Sequence, residues 1–592
     1  MALAAHANLI GTFLCGWLLS PALTLPDDPP SIYLWWPNRS LEAADVTVAK
    51  SWGGVNAERG ELPAAFADAL SQGQLAAYLG HAAGRFPLYL EREQVEALRK
   101  PDGRLEPRPG ELFKTESWEQ LSDLVLDHVG REPEKRLPWE FVSLGDELSF
   151  TPWGDPLEFA PTVAMQTRFD RWRSSLGKEP WPLEDATWRR ALSTGAPRDL
   201  EAFVDRRRFE REWFTERLGL LAQGLRTEGI GPLGVLGMYG SPPFGGLAID
   251  ALVSGDAEPI LDISEPYPEG LARRRVASAS GENHRWLTTL FLDTKDPLRN
   301  PCIELWSTWA EGCGGFVIWN ADRLQPPSVR STELLTQIQA LRTLATNGRW
   351  EWRGPHRVAL LADDDQLAFE WLCEARRRPA EGDRRLGGWY EQNGAGPRLR
   401  RAWIAALERA GLQPGVLRPE ALGMSADFDH LIALEQTWLG APQAAAVEKY
   451  LAAGGHLWVR GQLGALDERG LRRETPLGQR WLATYPAQVH RLGPLSAGHL
   501  TPADRADLDR ALGQLQTSTP PPSFEPPRGW WLRRGWRSWQ GARRPVLCLF
   551  RAEEEAQPID SGDLESLHAQ GWVTLHGPTD GVWLLQGPPE PI

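Results

Sequence analysis

From residue 31 to residue 319 the chain alternates short apolar runs with longer stretches of helical periodicity. Eight runs read as strands: Ser31–Trp36, Val46–Val55, Leu75–His81, Glu140–Gly145, Leu233–Tyr239, Pro259–Ile263, Trp286–Leu292 and Gly315–Trp319. Near-continuous apolar runs of this length suit strands buried on both faces, with helices as the covering layer. The second run is the least regular, because Gly53-Gly54 reads as a turn and divides it into two short pieces. Ser117-Trp118-Glu119-Gln120 has the form of a capping box, and Trp118, Leu121, Val125 and Val129 follow at helical spacing. Pro197 to Thr227 forms a long, charged amphipathic pattern, and Ile303 to Glu311 a shorter helix. Eight strands with helices between them predict an α/β fold with an N-terminal (β/α)8 TIM barrel over residues 26–330. The largest insertion, Thr151 to Pro197, follows the fourth strand, on the face where such barrels carry function.

A connecting helix and linker are expected over Gln325–Gly354. Apolar runs then recur at Arg357–Ala362, His430–Leu434 and His456–Val459. A helix over Leu399–Ala410 closes at Gly411, and another opens at Pro442, turns Val447, Tyr450 and Leu451 to one face, and ends at Gly454-Gly455. This predicts a flavodoxin- or amidotransferase-like doubly wound domain over 355–475. An active amidotransferase needs a cysteine on a sharp strand-to-helix turn, whereas Cys373 lies inside a helical pattern. The domain therefore reads as structural or oligomeric. Residues 476–528 read as a helical, Pro-rich linker that includes Thr517–Pro527, and 529–592 as a small β domain built on Val546–Phe550, Trp572–Leu575 and Val582–Leu585.

The 592 residues carry a formal net charge of −14, which disfavours a broad nucleic-acid surface. The run Trp530 to Trp539 interleaves Arg with Trp; an edge strand with Arg stacked on Trp, or a sugar-binding face, fits it better than a nucleic-acid platform. Tryptophan is abundant, 29 residues against 8 Tyr, and indoles stack well on the flat apolar faces of sugar rings. The five cysteines form neither a CxxC pair nor a zinc pattern, and Cys302 and Cys313 are expected on one helix, too far apart to bridge. No cofactor or metal is implied. Residues 7–25 are apolar and uncharged, the length of an export signal, so residues 1–25 read as a signal peptide of a periplasmic or extracellular protein, with no membrane span left after its removal. The alternative is a buried N-terminal segment of a cytoplasmic protein.

Candidate chemistry sits at the strand ends. Asp146 and Glu147 follow the fourth strand, and Asp293 follows the seventh. A retaining glycosidase needs two carboxyl groups about 5–5.5 Å apart across the scissile bond, one protonated and one ionised. Glu147 is the acid/base candidate and Asp293 the nucleophile candidate; Glu265, after the sixth strand, competes with Asp293, and Lys295 could neutralise Asp293 instead. Sugar contacts are expected from Trp35 and Trp36, from Asn56, Glu58 and Arg59, from His81 and Arg85, and from Trp153, Tyr239, Trp319 and Asn320.

The segments GGVNAERG (53–60), AAYLGHAAGR (76–85), SLGDELSF (143–150) and GCGGFVIWN (312–320) resemble the barrel of glycoside hydrolase family 42 and its β-galactosidase-like relatives. The region 357–468, with DHLIALEQTWLG and AVEKYLAAGGHLWVRG, resembles that family's trimerisation domain. The resemblance implies a retaining exo-β-galactosidase, a homotrimer, and glutamates as acid/base after strand four and nucleophile after strand seven. Glu147 matches the first. Asp146 stands where the family carries Asn, and an ionised Asp accepts but cannot donate a hydrogen bond to a sugar hydroxyl. Asp293 stands at the nucleophile position, one methylene shorter than Glu, and the cysteine cluster that binds metal in some members is missing. The alternative to hydrolysis is a glycan-binding relative that has lost the nucleophile, and a third reading is an assembly protein whose doubly wound domain is the working part.

Overall fold

Eight short strands, seven of them on the expected apolar runs, curl into a closed parallel barrel in which each strand pairs with its sequence neighbours and β8 closes on β1. The computed structural model describes residues 29–586 except 38, 59, 85–87, 89–91, 103, 108–110, 133–135, 147, 149–158, 237–260, 265–270, 280–285, 293–299, 325–326, 348, 352–357, 378–393, 410–413, 424–427, 493–529, 540–541, 552–564, 566, 569–572 and 580–581. In chain order the barrel comprises β1 (Ser31–Trp35), α1 (Asp45–Trp52), β2 (Gly54–Glu58), α2 (Ala64–Ser71), β3 (Ala76–Gly80), α3 (Arg92–Ala97), α4 (Thr115–Val129) and β4 (Val142–Asp146). Then come α5 (Val163–Ser175), α6 (Trp188–Thr194), α7 (Pro197–Thr227), β5 (Leu233–Leu236), β6 (Leu261–Ser264), α8 (Leu271–Ala279), β7 (Leu287–Phe291), α9 (Pro301–Trp309) and β8 (Gly315–Trp319). The predicted export signal lies outside the described residues, and no helix among those described is long and apolar enough to cross a membrane.

Three expectations are corrected here. Val46–Val55 is not a strand: Ala49 and Trp52 fall on one buried helical face of α1, and Gly53, at φ 116°, closes that helix by donating its N–H to Ala49 O before β2 begins. The capping box at Ser117 does not form, because α4 starts two residues earlier and the Ser117 hydroxyl donates instead to Glu111 O. Cys302 lies in α9, but Cys313 lies beyond its end, past Gly312 at φ 94°; both are buried.

Strand alternation sorts the barrel into two apolar regions. Ile32, Leu34, Val55, Phe316 and Ile318 face outward into the layer between strands and helices. Tyr33, Trp35, Tyr78, Phe141, Leu287 and Val317 pack together inside. The long helix α7 is charged yet deeply buried, because its charges are paired. Arg173 and Lys178 from the insertion meet Asp205, and Arg206 pairs with Glu210 at 3.0 Å while donating to the carbonyls of Leu183 and Phe159. Burial pushes the Asp205 carboxyl up to about 6, against the opposing pull of Lys178 and Arg173.

After α10 (Val329–Thr346) and β9 (Arg349–Glu351) comes the second domain: β10 (Val358–Leu361), α11 (Asp364–Arg377), α12 (Ala395–Arg409), β11 (Gly415–Leu417), β12 (His430–Leu434), α13 (Ala441–Ala452), β13 (His456–Arg460), α14 (Leu477–Thr484) and β14 (Val489–Arg491). Its all-parallel order, β11-β10-β12-β13-β14, is that of a doubly wound sheet. The sheet reaches past the expected boundary at 475, so α14 and β14 are part of the domain and not of a linker. Buried ion pairs join it to the barrel: Arg275 of α8 meets Asp364 at 2.7 Å, Arg211 of α7 meets Asp365 at 3.1 Å, and Arg274 meets Glu408.

The C-terminal sheet, β17-β18-β16-β15-β9, comprises β15 (Trp530–Trp539), β16 (Ala542–Arg551), β17 (Val573–Thr579), β18 (Val582–Gln586) and β9, the last drawn from the segment expected to be a linker. The Arg/Trp-rich run is therefore not an edge strand throughout: β15 pairs with β16 and, at Trp536–Ser538, with β9, where the Arg537 guanidinium stands 5.1 Å from the Trp350 ring.

Candidate active site

The carboxyl ends of β1, β2, β3, β7 and β8 bring Trp35, Glu58, His81, Phe291 and Trp319 to one rim. On β1, β2, β3, β7 and β8 the inward positions alternate, so Trp35 lies above Tyr33, Glu58 above Asn56, Gly80 above Tyr78, Phe291 above Thr289 and Trp319 above Val317. Trp35 Nε1 donates to Glu58 Oε1 at 2.8 Å, and His81 Nδ1 stands 3.9 Å from the same oxygen. The Trp35 and His81 rings lie 5.9 Å apart, and on the neighbouring strands Phe291 and Trp319 lie 5.5 Å apart. Glu58 is thus anchored through one oxygen while its side chain stays 40 % exposed. His81 at φ 52° and Asn320 at φ 63° both sit in the left-handed region just beyond their strands, a costly conformation for residues with a Cβ.

Below the rim lies a polar layer. Asn56 is 2 % exposed, and neither end of its amide has a hydrogen-bond partner among the described residues. The hydroxyls of Ser143 and Thr289, at 1 % and 0 % exposure, are in the same state. The Asn56 amide occupies the space that a Cβ at position 80 would fill, so Gly80 permits its inward approach. Deeper still, Tyr78 stacks on Phe141 at 4.4 Å and Tyr33 meets both edge-on, filling the barrel with an aromatic plug. The Tyr33 hydroxyl donates to Glu140, before β4. Unpaired buried polar groups cost about 1–3 kcal/mol each, so a polar layer under an open aromatic rim fits a ligand that supplies hydroxyls.

Of the residues named from the sequence, Trp35, Asn56, Glu58, His81, Trp319 and Asn320 lie at or near the carboxyl ends of the strands around this mouth. Trp36 does not: it is 3 % exposed in the outer apolar layer with Arg39 above its ring, because Trp35 and not Trp36 has inward strand parity. Arg39 also ties the exits of β1 and β8 together through Asp45 and Asp322, each at 2.7 Å. Asp146 is the last residue of β4. Glu147, Asp293, Glu265, Arg59, Arg85, Trp153 and Tyr239 lie outside the described residues. Ser143 and Thr289 were not anticipated; a polar residue at an inward position of an otherwise apolar strand was the available signal. Among the described residues no group of three or more His, Cys, Asp or Glu side chains is arranged to hold a metal ion.

No family profile matches the sequence, and no curated protein matches it. Solved structures do match in fold. A glycoside hydrolase family 42 β-galactosidase from G. stearothermophilus superposes with a TM-score of 0.61 at 12% identity, over 95% of this chain and 100% of that one. The β-galactosidase from the haloarchaeon Halorubrum lacusprofundi gives 0.61 at 12% identity, over 95% and 99%. A family 42 exo-carrageenase from Bacteroides ovatus gives 0.54 at 11% identity, over 96% and 83%. At such identities the likeness is one of fold, shared over nearly the whole of this chain.

Proposed function

We propose that this chain is a β-galactosidase-type glycoside hydrolase that cleaves terminal β-linked sugars with retention at the carboxyl face of its barrel. The observation that carries the reading is the layer of Asn56, Ser143 and Thr289, without side-chain partners among the described residues, beneath a rim of Trp35, Glu58, His81 and Trp319. Glu147, directly after β4, is assigned as acid/base, and Asp293, two residues after the last residue of β7, as nucleophile, with Glu265 after β6 as its rival. In that scheme Glu147 protonates the leaving oxygen while Asp293 attacks the anomeric carbon; Glu147 then deprotonates the water that releases the sugar. Glu58, held by Trp35, accepts a sugar hydroxyl through its free oxygen, and Trp319 offers its ring face. Asp in place of the usual Asn at 146 and the shorter Asp at 293 favour a second reading, a glycan-binding protein without turnover.

Aryl β-glycosides assayed with the wild type and Glu147→Gln separate the two. Hydrolysis predicts a fall in kcat/KM of roughly 10²–10⁴ for the variant. Equal turnover by both removes Glu147 from the mechanism, and no turnover by either, with sugar still bound, establishes the binding reading. The export signal and a homotrimer built through the second domain belong to the same proposal, and sedimentation equilibrium of the exported chain tests them.

A further inference from the structure

A second cavity, of about 290 Å³, lies where the second domain meets the barrel. Arg208, Arg211, Glu212, Thr215 and Glu216 of α7 form one wall; Asp363, Asp364 and Asp365, just after β10 and at the start of α11, form the facing wall. Arg418, after β11, and Gln443, in the first turn of α13 after β12, complete the lining. The cavity thus sits outside the carboxyl ends of β11, β10 and β12. In this strand order the connections run to opposite sides of β10, and the crevice at that switch point is where doubly wound sheets bind ligands. Here a barrel helix roofs it.

We propose that this cavity is a binding site for a neutral polyhydroxylated ligand the size of one sugar ring. The volume is at the lower end of small-molecule pockets, which suits a single ring. The charges on its walls largely satisfy one another. Arg211 stands 3.1 Å from Asp365 and 3.4 Å from Asp364, and Arg208 stands 3.0 Å from Glu212 and 3.8 Å from Asp365. Arg275, behind the wall, meets Asp364 at 2.7 Å. An ion entering would have to break one of these pairs and shed its own hydration. A hydroxyl can donate to a carboxylate and accept from a guanidinium at once, leaving the pairs intact. One acceptor keeps hydrogen-bonding capacity: the Oδ2 of Asp364, a residue 1 % exposed, lies 3.4 Å from Arg211 but receives no hydrogen bond among the described residues.

The same sheet edge bears a second mark of a site. Glu435, just past β12, adopts φ 53°, and its Oε1 has no hydrogen-bond partner among the described residues. Gly461 leaves the room this carboxylate takes. A non-glycine residue held in that conformation at a strand's carboxyl end is characteristic of functional crevices. The cavity site does not depend on hydrolysis at the barrel mouth.

Calorimetric titration of the full chain with D-galactose and with myo-inositol tests the proposal, using the wild type, Thr215→Trp, which fills the cavity, and Arg418→Met, which removes one donor. Two classes of site are expected for galactose in the wild type. Thr215→Trp removes one class, and Arg418→Met weakens it by about tenfold. Unfolding curves matching the wild type establish that each variant is folded. A galactose isotherm unchanged in both folded variants overturns the proposal, as does binding of sulfate or spermidine in the cavity in place of either polyol. Loss of one class in Thr215→Trp with no aryl galactoside turnover keeps the cavity and removes the hydrolase reading. Turnover with binding indifferent to both substitutions does the reverse.

Discussion

Two carboxyl edges of parallel sheets in this chain treat their polar groups in opposite ways. At the barrel mouth, Asn56, Ser143 and Thr289 are buried with no partner among the described residues, and Glu58 is anchored through one oxygen only. At the joint between barrel and second domain, buried charge meets buried charge: Arg275 with Asp364, Arg211 with Asp365, and Arg274 with Glu408. The first arrangement leaves hydrogen-bonding capacity for something that enters. The second uses most of it to hold two domains together. A buried pair contributes little net stability over a well-packed apolar contact, but removing one member strands the other. The joint should therefore be sensitive in stability and the mouth in chemistry.

Arg275→Met is the largest test of that contrast on the joint side. It removes the 2.7 Å partner of a carboxylate that is 1 % exposed, and the unfolding free energy in urea should fall by about 3 kcal/mol. A loss below ~1 kcal/mol would mean that Arg211 alone compensates Asp364, and the joint would then be no stiffer than a surface contact.

A smaller effect is expected from pH. Burial pushes the Asp364 carboxyl up, but Arg275, Arg211 and Arg418 outweigh it and hold it below the usual aspartate range. A carboxyl depressed in the folded state contributes stability above its unfolded value, and that contribution is lost as pH falls below about 4. Asp205 has the opposite sign: its raised value makes its contribution complete below about 4 and lost as pH climbs through about 6. Asp364→Asn should flatten the acid limb of the stability profile and leave the pH 4–6 region unchanged. An acid limb as steep as that of the wild type would place the acid sensitivity elsewhere.

Thr289→Val gives the smallest change and the sharpest contrast. It replaces a buried hydroxyl, without a partner among the described residues, with a methyl of nearly the same shape. Stability should rise by about 1 kcal/mol while affinity for galactose at the mouth weakens. A loss of stability would show that the hydroxyl is already paired, and the mouth would then resemble the joint.

Most of the barrel was legible in the sequence because strands buried on both faces show as short, mainly apolar runs between turn residues. Val46–Val55 misled for the same reason: a short helix with buried Ala49 and Trp52, followed by the first residues of a strand, looks like one longer run. Trp35 and Trp36 were indistinguishable until the start of β1 fixed the parity that turns one inward and the other to the helices. β9 and β14 are three-residue strands, too short to show any period, and only their pairing partners define them. The ion pairs of the joint link residues 89 to 154 positions apart, such as Arg275 to Asp364 and Arg211 to Asp365, and no local pattern encodes them. The acid assignments rest on strand position: β4 ends one residue before Glu147 and β7 two residues before Asp293, which fixes a neighbourhood and not a geometry.

Covalent trapping tests the assignment of the barrel mouth most directly. A retaining mechanism passes through a glycosyl-enzyme that a 2-deoxy-2-fluoro-β-galactosyl fluoride arrests, because the fluorine slows breakdown of the intermediate. Peptide mass spectrometry after incubation should find one sugar per chain on the peptide that carries Asp293, and Asp293→Asn should abolish it. Turnover of aryl galactosides without any such adduct, or an adduct confined to the peptide that carries Glu265, would contradict the assignment.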